Sequence, residues 1–84
     1  MQEEQLNLIV EGLGGVENIE NINNCFTRLR IDVLDETKVN MDLLKKYPSS
    51  GIVDKQKHIQ IIIGLGVQDV RNNLEEYIGK LVSK

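Results

Sequence analysis

The sequence predicts an α+β fold: an open-faced two-layer sandwich, with a four-stranded antiparallel sheet and three helices on one face. Three observations carry this. The hydrophobic periodicity runs in the order helix, two strands, helix, two strands, helix. The connections between paired strands are short, which favours antiparallel hairpins. The clearest strand, Thr27 to Leu34, alternates Leu29, Ile31 and Val33 with Arg28, Arg30 and Asp32, so one sheet face is wet and the helices must lie on the other.

Each element follows from local chemistry. Leu6, Ile9, Val10 and Leu13 share a helical face over Glu3 to Gly12. Glu3 and Glu4 suit the helix N-terminus, and Gly14-Gly15 supplies a stop. Ile19 to Asn24 is expected to be a short strand, although Ile19 and Ile22 do not alternate strictly. With Thr27 to Leu34 it makes a hairpin with Cys25 near the turn. Asn40 is the expected N-cap of a second helix, whose apolar stripe is Leu43, Leu44 and Tyr47 with Val39 just ahead. Tyr47 to Gly51, with the only proline at Pro48, reads as a helix stop and a turn. Gly51 to Val53 is expected to be a strand, Asp54 to Lys57 a polar turn, and Ile59 to Ile63 the fourth strand. After Gly64-Leu65-Gly66, Val67, Val70, Leu74, Tyr77, Ile78 and Leu81 form the stripe of a long third helix.

Composition excludes several function classes. The 84 residues suit one domain, 1–84, and 13 acids against 10 Lys and Arg give a net charge of -3. With no basic excess, no Trp, one Phe and two Tyr, nucleic acid is not an expected partner. The longest run of apolar residues and Gly, Ile61 to Val67, is far below the roughly 20 residues of a membrane span, so no membrane insertion is expected. Met1 to Gln5 is acidic and polar, unlike a signal peptide. The single Cys25 and single His58 cannot build a disulfide or a cysteine-rich zinc site.

Cys25-Phe26-Thr27-Arg28-Leu29-Arg30 is the stretch that carries chemistry. Arg28 and Arg30 share the wet face of their strand, close to the cysteine. Guanidiniums favour the nucleophilic thiolate and bind phosphoryl groups in a forked geometry. Thr27 can add a hydroxyl donor, and backbone N–H groups in the turn can form an anion nest. A second reading stands beside this one: Cys25 as a small core residue and the arginines as solubilising groups. The residues alone leave the two readings open.

Other phosphate chemistries fit poorly. A cysteine phosphatase needs an Arg six positions after its nucleophile, where this chain has Ile31 in a strand. A dinucleotide loop at Gly64-Leu65-Gly66 would need its third glycine at Asp69. His58 is expected to be a surface histidine, with proton transfer as the alternative. Ile62 is expected on the open face, as an ordinary exposed residue or a docking contact. Lys45-Lys46 suits a helix C-terminus.

Asn18-Ile19, Cys25, Thr27-Arg28-Leu29-Arg30, Asp35, Lys38-Val39, Gly51-Ile52-Val53 and Ile59 to Gly64 together resemble the enzyme IIB domain of the glucose-type bacterial sugar phosphotransferase system. The likeness covers nearly the whole chain. Tyr47-Pro48-Ser49-Ser50, in place of a small Ala-rich turn, and the bulky Phe26 are its departures. The resemblance implies the fold already read. It also implies a relay in which a phosphohistidine of enzyme IIA donates its phosphoryl group to Cys25. Cys25 then passes it to a sugar held by the membrane enzyme IIC. Arg28 and Arg30 match arginines associated with phosphoryl handling, with Thr27 supporting the phosphate. The scheme requires no cofactor, metal or nucleotide. It implies a cytoplasmic domain at the inner membrane face, monomeric in isolation. A regulatory binding module of the same fold, relaying phosphorylation without sugar transfer, is the alternative.

Overall fold

The computed structural model describes residues 3–83. Among them, helix α1 spans Glu3–Gly12, strands β1 and β2 span Ile19–Asn24 and Arg28–Val33, and helix α2 spans Met41–Lys46. Strands β3 and β4 span Gly51–Lys55 and His58–Ile62, and helix α3 spans Val67–Val82. The sheet order is β1-β2-β4-β3, antiparallel throughout, so two hairpins meet along the β2–β4 pairing. This is the four-stranded sheet with three helices that the periodicity predicts.

One apolar layer joins sheet to helices. Leu29, Ile31, Val33, Ile59 and Ile61 from the sheet are at most 1% exposed. They form a single cluster with Leu6, Ile9, Val10 and Leu13 at α1, Leu44 of α2, and Val67, Val70 and Leu74 of α3. The opposite face carries the register rows Asn23–Arg30–Gln60–Val53 and Asn21–Asp32–His58–Lys55, with Arg28–Ile62–Gly51 nearest the Cys25 turn. No helix of the described residues covers that face.

The uneven spacing of Ile19 and Ile22 is resolved by a bulge. Between Ile19 and Asn21 the register slips, so two β1 residues advance against one of β2. Ile19 pairs with Val33 and Ile22 with Ile31, and both turn toward the helices.

α1 ends where Gly15 N–H bonds the Val10 carbonyl at 2.9 Å, with Gly14 and Gly15 at φ of 99° and 94°. At Gly12 the need is close approach: a Cβ there would lie 2.7 Å from the Leu44 side chain, so α1 and α2 pack against bare backbone. Asn40 caps α2 as expected, its side chain accepting from Leu43 N–H at 3.2 Å. Asp35 accepts from the Thr37 hydroxyl at 2.6 Å and the Thr37 amide at 2.9 Å. These bonds hold its carboxyl below the usual range.

Three strands differ in their bounds from expectation. β2 is one residue shorter at each end. The Thr27 carbonyl is taken by the Ile63 and Gly64 amides, and Leu34 N–H bonds Asn18. Asp54 and Lys55 belong to β3 rather than to a turn, and β4 begins at His58 and ends at Ile62. The reversal is only Gln56-Lys57, with Gln56 at φ 66° and its amide bonded to Asp54 Oδ1 at 3.0 Å. Edge-strand residues pair through backbone, so a polar composition there does not stop the ladder.

Candidate functional site

The first hairpin turn is closed by Cys25 N–H donating to the Arg28 carbonyl at 2.9 Å. Cys25 is a free, half-buried thiol. The backbone N–H groups of Thr27 and then Arg28 hold the thiol pKa below the usual cysteine range. Partial burial opposes them, and the charge and side-chain hydrogen bond of Arg30 lower it further. A turn that aims main-chain N–H groups at one atom is an anion nest, and it favours thiolate. Thr27 thus acts on the thiol through its amide, and Arg30 is the nearby cation.

Arg28 is arranged differently. Its amide faces the thiol, while its guanidinium Nη1 donates to Gln60 Oε1 at 2.9 Å. Gln60 is 6% exposed, and its Nε2 lies 3.1 Å from His58 Nε2. His58 Nδ1 lies 2.7 Å from Asp32 Oδ1. His58 is therefore half-buried and partnered, which corrects the expectation of an ordinary surface histidine. The register that sets Asp32 opposite His58 makes this partner available. Alternation along β2 and β4 puts these residues on one face. Sequence reasoning missed the cluster because only strand pairing brings it together.

The far wall of the site comes from the chain after β4. Ile63 and Gly64 N–H groups bond the Thr27 carbonyl at 2.9 and 2.8 Å, drawing Gly64-Leu65-Gly66 and the start of α3 up to Cys25. The resulting open cleft has a volume of about 410 Å³ and is lined by Asn24, Cys25, Phe26, Leu65, Val67 and Gln68. Phe26 and Leu65 are 83% and 84% exposed, two large apolar side chains beside the Cys25 turn. Ile62 shares the open face but is half-buried. A larger groove of about 650 Å³ lies between the start of α1 and the end of α3 and does not include Cys25. Among the described residues no group of three His, Cys, Asp or Glu is placed to hold a metal ion.

A thiolate-favouring turn at the edge of a sheet face that no helix of the described residues covers defines a class: a small α+β domain with one free thiol at the rim of an open sheet. Residues 7–40, which include Cys25, Arg28 and Arg30, match the family "phosphotransferase system, EIIB". The chain is 40% identical over 68 residues to the PTS system N-acetylglucosamine-specific EIIB component of Streptomyces coelicolor, covering 81% of this chain and 88% of that protein. It is 49% identical over 74 residues to the PTS system alpha-glucoside-specific EIICB component of Leptotrichia buccalis, covering 87% of this chain and 14% of that protein. The PTS system maltose-specific EIICB component of Bacillus subtilis is 42% identical over 74 residues, again 87% of this chain and 14% of that protein. The chain thus spans about one-seventh of the length of these two larger relatives. A crystal structure of one domain of the PTS system IIabc component from Clostridium difficile superposes with a TM-score of 0.75 at 28% identity, covering 92% of this chain and 81% of that one. The chain belongs to the enzyme IIB family of the phosphotransferase system, and within it to the glucose type.

The arrangement predicts how the thiol titrates. Alkylation of Cys25 by iodoacetamide, followed against pH, should show its midpoint below that of an ordinary cysteine, because the thiolate is the reacting form. In Arg30→Gln the midpoint should move upward while the Thr27 and Arg28 amides keep it from reaching the unperturbed value. An unchanged midpoint would remove Arg30 from the account.

Proposed function

We propose that this chain, residues 1–84, is a phosphoryl-carrier domain of a sugar phosphotransferase system. Cys25 accepts a phosphoryl group from a phosphohistidine of an enzyme IIA and passes it to a sugar held by a membrane enzyme IIC. The observation that carries this reading is the Cys25 turn, where two main-chain N–H groups and Arg30 favour the thiolate at an open surface.

The steps balance without a further reagent. The Cys25 thiolate sulfur attacks phosphorus, the S–P bond forms, and the N–P bond to the donor histidine breaks. A sugar hydroxyl oxygen then attacks the phosphorus. The O–P bond forms, the S–P bond breaks, the sugar's proton leaves to base, and the thiolate is regenerated. A phosphoryl group brings about -1.5 to -2 charge, by analogy with phosphoesters. The Thr27 and Arg28 amides and Arg30 are positioned to take up part of it, and Arg28 lies on the same face to supply a second guanidinium. Such transfer depends on alignment and charge stabilisation. Phe26 and Leu65 offer an apolar rim against which donor and acceptor domains can each seat in turn.

The printed names of the larger relatives support an enzyme IIC partner, since they are EIICB components. No helix of the described residues is long and apolar enough to cross a membrane. The reading places the domain in the cytoplasm at the inner membrane face, acting as a monomer, with no cofactor taking part.

The test is reconstitution with an enzyme IIA and membranes holding a candidate enzyme IIC, following labelled phosphate onto sugar. Alpha-glucosides, maltose and N-acetylglucosamine are the first substrates to try, given the relatives' names. Sugar phosphate that forms only when this chain is present is the expected result. A chain that takes up phosphate but never yields sugar phosphate with any of them would instead favour a regulatory module.

A further inference from the structure

The open sheet face carries a line of side chains that ties Arg28 to three groups the phosphoryl-carrier reading does not use. It runs Asp32, His58, Gln60, Arg28, with successive contacts of 2.7, 3.1 and 2.9 Å. Its two ends differ in kind. Asp32 as a carboxylate can only accept, and Arg28 can only donate. That asymmetry fixes every group between them. His58 must carry its proton on Nδ1 to bond Asp32. Its Nε2 is then a lone-pair acceptor and requires an N–H from Gln60. The Gln60 amide is thereby oriented with Oε1 toward Arg28, where the guanidinium bonds it. The neutral ring satisfies every contact in the line.

We infer that His58, acting through Gln60, is a positioning residue that sets where the Arg28 guanidinium points. Protonation of His58 puts a second N–H on the ring, at Nε2, facing the Gln60 amide nitrogen. Two donors then confront each other. The amide satisfies the ring by turning over and presenting Oε1 to it. This places the amide NH₂ against Arg28, donor against donor, and Arg28 is released. Gln60 is 6% exposed, so little water is at hand to bridge the mismatch instead.

The released guanidinium belongs to the strand that starts at the Cys25 turn, on the face it shares with Arg30. The neutral His58 state therefore holds Arg28 on Gln60, and the protonated state frees it for an anion at Cys25. Histidine is the side chain whose charge ordinarily changes between about pH 5 and 8. The charged groups around His58 are Asp32 from β2, Lys55 from β3, Lys57 from the turn, Glu20 from β1 and Glu36 from the 3₁₀ turn after β2. All of them line one shallow depression with the ring. Only Asp32 is bonded to it. The consequence for phosphoryl handling rests on the carrier reading; the switch itself does not.

The experiment is an NMR titration of the whole chain from about pH 5 to 8, following the His58 ring and the arginine guanidinium signals together. Arg28 should shift with the same midpoint as the His58 ring, while Arg71, out on α3, does not follow it. His58→Asn and Gln60→Ala should each flatten the Arg28 response, with amide spectra reporting that the fold is kept. An Arg28 signal that stays flat in the unaltered protein while His58 titrates overturns the inference. So does a Gln60→Ala chain in which Arg28 still follows His58. No donor protein or sugar enters this measurement, so its failure is distinct from failure of the carrier reading.

Discussion

Cys25→Ser should reduce phosphoryl transfer to sugar in the reconstituted system to background, a loss on the order of 10⁴-fold or more if the nucleophile is the group removed. The size follows from the chemistry of the turn. The Thr27 and Arg28 amides and Arg30 lower the pKa of a thiol, so the attacking anion is available near neutral pH. The same surroundings cannot bring a serine hydroxyl into that range, because its starting pKa is many units higher. The replacement is one atom at a half-buried surface turn, and Cys25 is not part of the buried core cluster. Stability should therefore change little, and unfolding curves of the two chains should nearly coincide. Transfer by Cys25→Ser within tenfold of the unaltered chain would mean that another residue carries the phosphoryl group.

The second large effect is on stability and lies at Asn18. This residue is 3% exposed, and its amide serves three places at once. Nδ2 donates to the Leu13 carbonyl at 2.7 Å and to the Asp35 carbonyl at 2.9 Å, while Oδ1 accepts from Asp35 N–H at 2.8 Å. The end of α1, the start of β1 and the exit from β2 are pinned to one side chain. Asn18→Ala strips all three bonds and leaves main-chain groups without partners. At about 1 to 3 kcal/mol for each buried group left unsatisfied, a loss of about 3 kcal/mol is a conservative expectation. For a domain of this length that corresponds to a fall in Tm of roughly 12–24 °C. Urea unfolding should show a lower midpoint at unchanged slope. Asn18→Asp keeps the acceptor but sets a buried carboxylate against the Leu13 and Asp35 carbonyls, and should lose at least as much as Asn18→Ala. A change under about 0.5 kcal/mol for Asn18→Ala would contradict the pinning role.

Most of the architecture was legible because the apolar positions keep strict periods. Leu29, Ile31 and Val33 announce a half-buried strand, and the α3 stripe from Val67 to Leu81 fixes a helix. The failures have physical causes. The β1 bulge at Glu20 breaks period two, so Ile19 and Ile22 look out of step though both face the core. Asp54 and Lys55 look like turn residues because edge positions tolerate polarity, yet their backbones pair. At the site, the short segment from Cys25 to Arg30 was readable because its residues are adjacent in sequence. The Asp32–His58–Gln60–Arg28 line was not, since it joins residues 26 to 32 positions apart through the β2–β4 register. Alternation shows that these residues share a face. It does not show that Arg28 bonds Gln60 while Arg30 is the guanidinium whose charge acts on the thiol.

Peptide mapping of the phosphorylated chain shows whether Cys25 carries the phosphoryl group. The chain is incubated with the upstream relay proteins, its intact mass is read, and the labelled peptide is sequenced under conditions that preserve an S–P bond. One added phosphoryl group is expected, located on Cys25 and absent from Cys25→Ser. A phosphoryl group found on His58, or equal labelling of Cys25→Ser, would contradict it.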